Sequence, residues 1–223
     1  LAEGSTKIQN AAREPEIIDL ANFLNTIGAD VTGAGTSEIL INGVKAENLH
    51  SAEYTTIPDR IEAGTFMAAV VATKGKAIIR NVYPAHLTFF NDKLIKMGAS
   101  IKLVEPTTIE VSCKNRLQSI NFVTQPYPGF PTDCQALLTA ALLRANGESC
   151  IEETVFEERF HHIPELQKLG ADLKITGNSV KIHGKSSLHG AAITAKDLRG
   201  GAALALAALQ AEGVSNLRGL AHI

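Results

Sequence analysis

Tryptophan is absent from the 223-residue sequence, aromatic residues make up only 5% of it, and the 21 lysines and arginines do not outnumber the 23 aspartates and glutamates. A nucleic-acid surface needs a basic patch, usually with aromatic platforms, so a formal charge of -2 with the signs interspersed argues against one and for a small-molecule ligand. Cys113, Cys134 and Cys150 are odd in number and lack Cys-x-x-Cys spacing, which argues against a disulfide framework and a structural zinc site and suits a reducing cytoplasm. No apolar run approaches the roughly 20 residues that span a bilayer, and Leu1-Ala2-Glu3-Gly4 does not open a signal peptide. The expectation is a soluble, cytoplasmic chain, with any segment ahead of Leu1 left out of account.

What the chain does have is apolar residues, 45% of the total, enough to bury a core in one large domain or two small ones. Three times a short apolar stretch at helical spacing runs into one pentapeptide form: Ile27-Gly28-Ala29-Asp30-Val31, Met97-Gly98-Ala99-Ser100-Ile101 and Leu169-Gly170-Ala171-Asp172-Leu173, about 70 residues apart. Both ends of the chain fall inside a repeat, so a piece of a larger protein is expected. Solenoid periods are about 20–50 residues, and the longer period favours a unit of several elements over a simple stacked scaffold.

The third repeat is the clearest. It opens at Pro131-Thr132-Asp133, continues through the largely apolar residues 136–143 as a buried helix, and turns at Asn146-Gly147. A strand at Ser149-Cys150-Ile151, a helix over 164–169 and a hairpin of 173–176 and 180–182 about Gly177-Asn178 follow. With 120–123 as its leading strand this unit reads βαβαββ. The second repeat has the same order: a helix over 59–71, a turn at Lys74-Gly75, a strand at 77–79, a helix with the stripe Leu87, Phe90, Leu94 and Met97, and a hairpin turning at Pro106-Thr107. Ile17, Leu20, Leu24 and Ile27 form the matching stripe of the first repeat, whose own first helix would precede Leu1. The fourth starts at Asp197-Leu198-Arg199 with an Ala/Leu helix to about Leu209 and reaches the chain end before its second helix, leaving an apolar helix without its covering layer.

Asp59, Asp133 and Asp197 each stand at the start of a first helix, where a carboxylate caps free N–H groups. Arg60 and Arg199 follow close behind two of them, cations where the helix dipole disfavours them, so an anionic group would relieve the cost. Helix N-termini bind phosphate and arginine adds bidentate hydrogen bonds, which suggests a phosphorylated ligand; for Arg60, pairing with Glu62 or another surface carboxylate is the alternative. Tyr127-Pro128-Gly129-Phe130-Pro131-Thr132-Asp133 is the least generic stretch: its prolines and glycine hold one carboxylate in place, as a general base requires, unless it is an ordinary proline-rich turn. His161-His162 lacks ligands at metal spacing and reads as structural. Cys134 reads as a small buried residue rather than a nucleophile, since no histidine is placed to activate it.

Pro58-Asp59-Arg60-Ile61-Glu62-Ala63-Gly64-Thr65 and Tyr127-Pro128-Gly129-Phe130-Pro131-Thr132-Asp133-Cys134-Gln135-Ala136 closely resemble the UDP-N-acetylglucosamine enolpyruvyl transferase (1-carboxyvinyltransferase) family. Asn10-Ala11-Ala12-Arg13-Glu14-Pro15-Glu16, Phe156-Glu157-Glu158-Arg159-Phe160 and Asp197-Leu198-Arg199 match it in order and spacing. The resemblance implies an α/β protein of two inside-out barrels (prisms) built from βαβαββ units, with residues 1–57 the last unit of the domain bearing a mobile catalytic loop and 58–223 most of the other. It implies transfer of the enolpyruvyl group of phosphoenolpyruvate to the 3-hydroxyl of UDP-N-acetylglucosamine, the committed step of peptidoglycan synthesis, without metal or cofactor. Asp133 matches the candidate general base at the sugar hydroxyl and Val155 a contact to the UDP-sugar. Asp197 and Arg199 match the acidic residue and the phosphate-side arginine near phosphoenolpyruvate. The family's catalytic cysteine, its lysine and asparagine partners and much of its uridine site would precede Leu1, and a further phosphate-binding arginine would follow Ile223, so these residues alone are expected to be inactive. A 3-phosphoshikimate transferase, against which the 127–133 segment speaks, and a silent binding module are the alternatives.

Overall fold

The computed structural model describes residues 2–222, so Leu1 and Ile223, the outer limits of the two expected domains, lie outside the described residues. The chain divides into two compact units, one up to Pro58 and one from Asp59.

The first unit contains β1 (Ser5–Gln9), α1 (Pro15–Thr26), β2 (Asp30–Thr32) and β3 (Glu38–Asn42), the strands antiparallel in the order β1-β3-β2. Ala21, Val31 and Ile39 form its small core, and Ile17, Leu24 and Ile41 pack against it. The apolar stripe expected on α1 is only partly buried, because Leu20 is 52% exposed. One helix on a three-stranded sheet has a single shallow face to cover, and Leu20 sits at an apolar groove also lined by Ile8, Ile17 and Leu24.

From Asp59 the chain forms α2 (Arg60–Ala72), β4 (Lys76–Arg80), α3 (Thr88–Lys96), β5 (Ser100–Glu105) and β6 (Thr108–Ser112). The third repeat is β7 (Phe122–Val123), α4 (Gln135–Leu142), β8 (Glu148–Glu152), α5 (Ile163–Lys168), β9 (Asp172–Thr176) and β10 (Ser179–His183); β11 (Ala192–Thr194), α6 (Leu198–Ala208) and β12 (Asn216–Arg218) follow. Three sheets result, ordered β4-β6-β5, β7-β8-β10-β9 and β11-β12. β7 runs parallel to β8 with Phe122 opposite Ile151, and β8 and β9 are both antiparallel to β10, so the third repeat is βαβαββ with a leading strand shortened to two residues.

The helices that open the repeats lie innermost. α4 packs against α2 and α6, α2 touches α6, and each rests on its own sheet: α2 on β4 and β6, α4 on β8, α6 on β11. Every residue of α4 is buried, because a helix enclosed by two helices and a sheet has no solvent side. The outer helices are one-sided. On α3 only Phe90 and Leu94 are buried, with Leu87 and Met97 just beyond its ends completing the expected stripe. This is an inside-out α/β arrangement, helices central and sheets around them.

The repeated pentapeptide is the exit from each second helix. Gly28, Gly98 and Gly170 have φ of +98°, +104° and +86°, a left-handed conformation that glycine adopts without a side-chain clash. After α1 and α3 the next alanine N–H closes onto a helix carbonyl, Ala29 onto Leu24 at 3.0 Å and Ala99 onto Leu94 at 2.9 Å.

Arginines also reach from one repeat into the next. Arg116 donates to the carbonyls of Arg144 and Ala145 beyond α4 at 2.9 Å, and Arg144 donates to the Gln210 carbonyl beyond α6 at 3.1 Å. Both side chains also bind carbonyls just after β10, Arg116 those of Gly184 and Lys185 and Arg144 that of Ser186. Carbonyls in the turns just past these elements thereby find donors.

Candidate active site

The approach to Asp133 is held by an aromatic anchor. Phe130 is buried against Phe90, Phe122 and Phe89, with ring centroids 6.0, 4.6 and 6.2 Å away. Its carbonyl accepts the Gln125 N–H at 2.8 Å, and the Gly129 N–H donates to the Pro126 carbonyl at 2.9 Å across a segment whose Tyr127–Pro128 peptide is cis. A 3-10 turn, Thr132–Cys134, then leads into α4.

That turn changes the role expected of Asp133. Asp59 and Asp197 do cap: Asp59 accepts from the Ile61 and Glu62 N–H groups at 2.7 and 3.2 Å, and Asp197 from the Gly200 N–H at 2.8 Å. Asp133 makes no cap, because it lies within the 3-10 turn rather than at its entry, and its carboxylate turns to two guanidinium groups instead. Oδ1 accepts from Arg159 Nη2 and Oδ2 from Arg199 Nη2, both at 3.0 Å. The Asp133 side chain remains 34% exposed, so lone pairs are left open to a ligand.

Each arginine is itself held. Arg199 sits in the first turn of α6, whose start the Asp197 cap fixes. Arg159 lies over the Phe156 ring at 4.5 Å, and its Nε donates to Thr132 Oγ1 at 3.0 Å. Thr132 in turn donates to Glu153 Oε2 at 3.0 Å. Val155, exposed to solvent, belongs to the same network through its N–H, which donates to Glu153 Oε1 at 2.9 Å. Arg60 is buried, its guanidinium 5.7 Å from the Phe89 ring and 5.6 Å from that of Tyr127, which ties α2 to the approach loop.

Asp133 and Arg199, 66 residues apart in sequence, are thus in direct contact, while Asp197 acts on the backbone that carries Arg199. Sequence reasoning gave no role to Arg159 or Glu153. The alternation along β8 carried a signal for the latter: Ser149 and Ile151 are buried, and Glu153 continues that face.

His161 is exposed and His162 buried, so the adjacent pair diverges, and no group of three or more His, Cys, Asp or Glu suited to a metal ion occurs among the described residues. Burial pushes the His162 imidazole down to about 4, leaving it neutral at neutral pH. The Cys134 thiol, buried beneath the turn, is pushed up to about 12 by the same desolvation and is a poor nucleophile. Two guanidiniums around one carboxylate leave local positive charge beside a group able to accept a proton, an arrangement suited to an anionic ligand that also presents a hydroxyl.

The fold is that of enolpyruvyl transferases, and the chain belongs to the family described as EPSP synthase (3-phosphoshikimate 1-carboxyvinyltransferase), which it matches over residues 1–223. It is 50% identical over its whole length to UDP-N-acetylglucosamine 1-carboxyvinyltransferase 2 of Carboxydothermus hydrogenoformans and 48% identical to the Bacillus subtilis protein of that name, covering 53% and 52% of them. Among solved structures it resembles the enolpyruvyl transferase NikO from Streptomyces tendae, at a TM-score of 0.88 and 29% identity over the whole chain and 53% of NikO. EPSP synthase from Acinetobacter baumannii, at 0.66 and 20% over 97% of this chain and 52% of its own, shares the fold. The chain spans about half the length of the curated relatives it matches.

Proposed function

We propose that this chain is part of an enolpyruvyl transferase that moves the enolpyruvyl group of phosphoenolpyruvate to the 3-hydroxyl of UDP-N-acetylglucosamine, in the cytoplasm and for peptidoglycan synthesis. The carrying observation is the fork in which Arg159 and Arg199 hold the two oxygens of Asp133. The acceptor follows the curated relatives, 45–50% identical and named for UDP-N-acetylglucosamine.

In this reading Asp133 takes the proton of the sugar hydroxyl as the sugar oxygen bonds to C2 of phosphoenolpyruvate, whose C3 gains a proton from a general acid of the full-length protein. Elimination reverses the second change: C3 returns its proton to that acid, the C–O bond to phosphate breaks, the leaving phosphate takes up the proton held by Asp133, and the enol ether remains on the sugar. Arg199 offers charge-assisted hydrogen bonds to the anionic donor, Asp197 stands at the same helix start as its acidic neighbour, and Val155 flanks the UDP-sugar. No metal or cofactor enters these steps. Residues 1–57 would be the last unit of the catalytic-loop domain and 58–223 most of the other.

The test is phosphate release by the full-length protein containing this chain, given phosphoenolpyruvate with either UDP-N-acetylglucosamine or 3-phosphoshikimate. Turnover with the UDP-sugar alone is expected. Turnover with 3-phosphoshikimate alone would reassign the acceptor, and none with either would remove the proposal.

A further inference from the structure

Glu153 is 3% exposed and, among the described residues, has no cation among its hydrogen-bond partners. A buried carboxylate is costly unless donors surround it, and four do. Oε1 accepts from Thr124 Oγ1 at 2.7 Å and from the N–H groups of Val155 and Phe156 at 2.9 and 3.0 Å, while Oε2 accepts from Thr132 Oγ1 at 3.0 Å. Three of these four donors belong to the two segments that line the candidate site. An apolar residue would fill the same space without the desolvation cost, so what the carboxylate adds is direction rather than bulk.

The direction is specific. Thr132 has one hydroxyl proton, and giving it to Glu153 leaves only lone pairs for Arg159, whose Nε donates to that oxygen at 3.0 Å. The other carboxylate oxygen fixes the backbone of Phe156, whose ring lies 4.5 Å from the Arg159 guanidinium carbon. One side chain therefore sets both the acceptor and the stacking surface of Arg159, and Arg159 sets Asp133.

We propose that Glu153 is a positioning residue of the transferase: through Thr132 and Phe156 it aims Arg159, and through Arg159 it holds the Asp133 carboxylate in its reactive orientation. This rests on the function proposed above. Glutamine at this position keeps the shape but presents an NH2 to Thr132. The hydroxyl must then accept instead of donate, and its proton turns toward Arg159.

The experiment measures phosphate release and melting temperature for the full-length protein carrying Glu153→Gln, Thr132→Val and both together. Each single change is expected to lower kcat about 10- to 100-fold, as misplacement of a reacting group does. KM for both substrates should stay within about 3-fold, since neither side chain touches a substrate in this scheme. The double variant should be no more than about 3-fold slower than the slower single one, because both cut one chain of contacts. Thr132→Ser, which returns the hydroxyl, should recover most of the lost rate. If Glu153→Gln does not fold, Thr132→Val and Thr132→Ser carry the test, since they leave the carboxylate its other three donors. A kcat within about 2-fold of the unmodified protein, fully multiplicative losses, or a loss accounted for by the unfolded fraction would overturn the inference alone. Absence of turnover in the unmodified protein would overturn the functional reading and this inference with it.

Discussion

Replacing Asp133 with asparagine keeps the size and planarity of the side chain at the head of α4 but removes its capacity to take a proton. The amide oxygen can still accept from one guanidinium, while the NH2 faces the other, so one of the two charge-assisted bonds at 3.0 Å is lost. A hydrogen bond to a charged group contributes about 1.5–3 kcal/mol, and for a side chain a third exposed, solvent screening reduces that to about 1 kcal/mol. The melting temperature should therefore fall by only about 2–4 °C. Loss of a general base costs about 100- to 10,000-fold in rate, roughly 3–5 kcal/mol of barrier, well beyond what the stability change supplies. The assay is initial-rate phosphate release at saturating phosphoenolpyruvate and UDP-N-acetylglucosamine, with calorimetric titration of the UDP-sugar alongside. The expected result is a kcat at least about 100-fold lower with sugar affinity changed less than about 10-fold. A kcat within about 3-fold of the unmodified protein would refute the assignment of Asp133 as base.

Arg199→Ala should raise the phosphoenolpyruvate KM by about 10-fold or more while the UDP-sugar KM moves less, because it removes a charged donor from the start of α6; unchanged phosphoenolpyruvate saturation would count against that contact. His162 is buried with its folded value near 4, below the ordinary 6.5, so acid protonates the unfolded chain first. Stability should thus be constant above about pH 6.5 and fall by about 2 kcal/mol by pH 5, and urea titrations of His162→Phe should lack that slope. In the native protein at pH 8, iodoacetamide should label the half-buried Cys150 ahead of Cys113 and Cys134, whose thiols burial raises, and peptide mapping that finds Cys134 labelled first would contradict its placement.

The elements set by local pattern were legible in the sequence. The pentapeptide glycine marks a helix exit because the left-handed turn it makes depends on the residue itself, and the apolar run of α4 identifies a buried helix because burial on all sides leaves no polar stripe. Leu20 was not legible: the same spacing that buries Leu87, Phe90, Leu94 and Met97 gives only a partly covered stripe where one helix meets one small sheet. The candidate site was half legible. Asp133 stood out by its rigid approach, but the three helix-start aspartates look alike until the 3-10 turn separates one from the others. Arg159 is recruited from a loop 26 residues away by a stacking ring and a hydroxyl, neither visible in spacing. Glu153 could have been found by carrying the strand alternation one residue past β8.

The arginine clasps at the inner-helix ends bear on how this unit comes apart. In stacked solenoids each repeat contributes its own stability and can open nearly alone. Here Arg116 is hydrogen-bonded to carbonyls of the next repeat, and Arg144 to one beyond α6, so opening any one repeat gives up hydrogen bonds to its neighbour. The repeats from Asp59 onward should accordingly exchange their core amide protons as one cooperative block, sharing a single opening free energy across α2, α4 and α6. Sequence periodicity records separate modules, whereas these shared contacts should make them open as a single foldon.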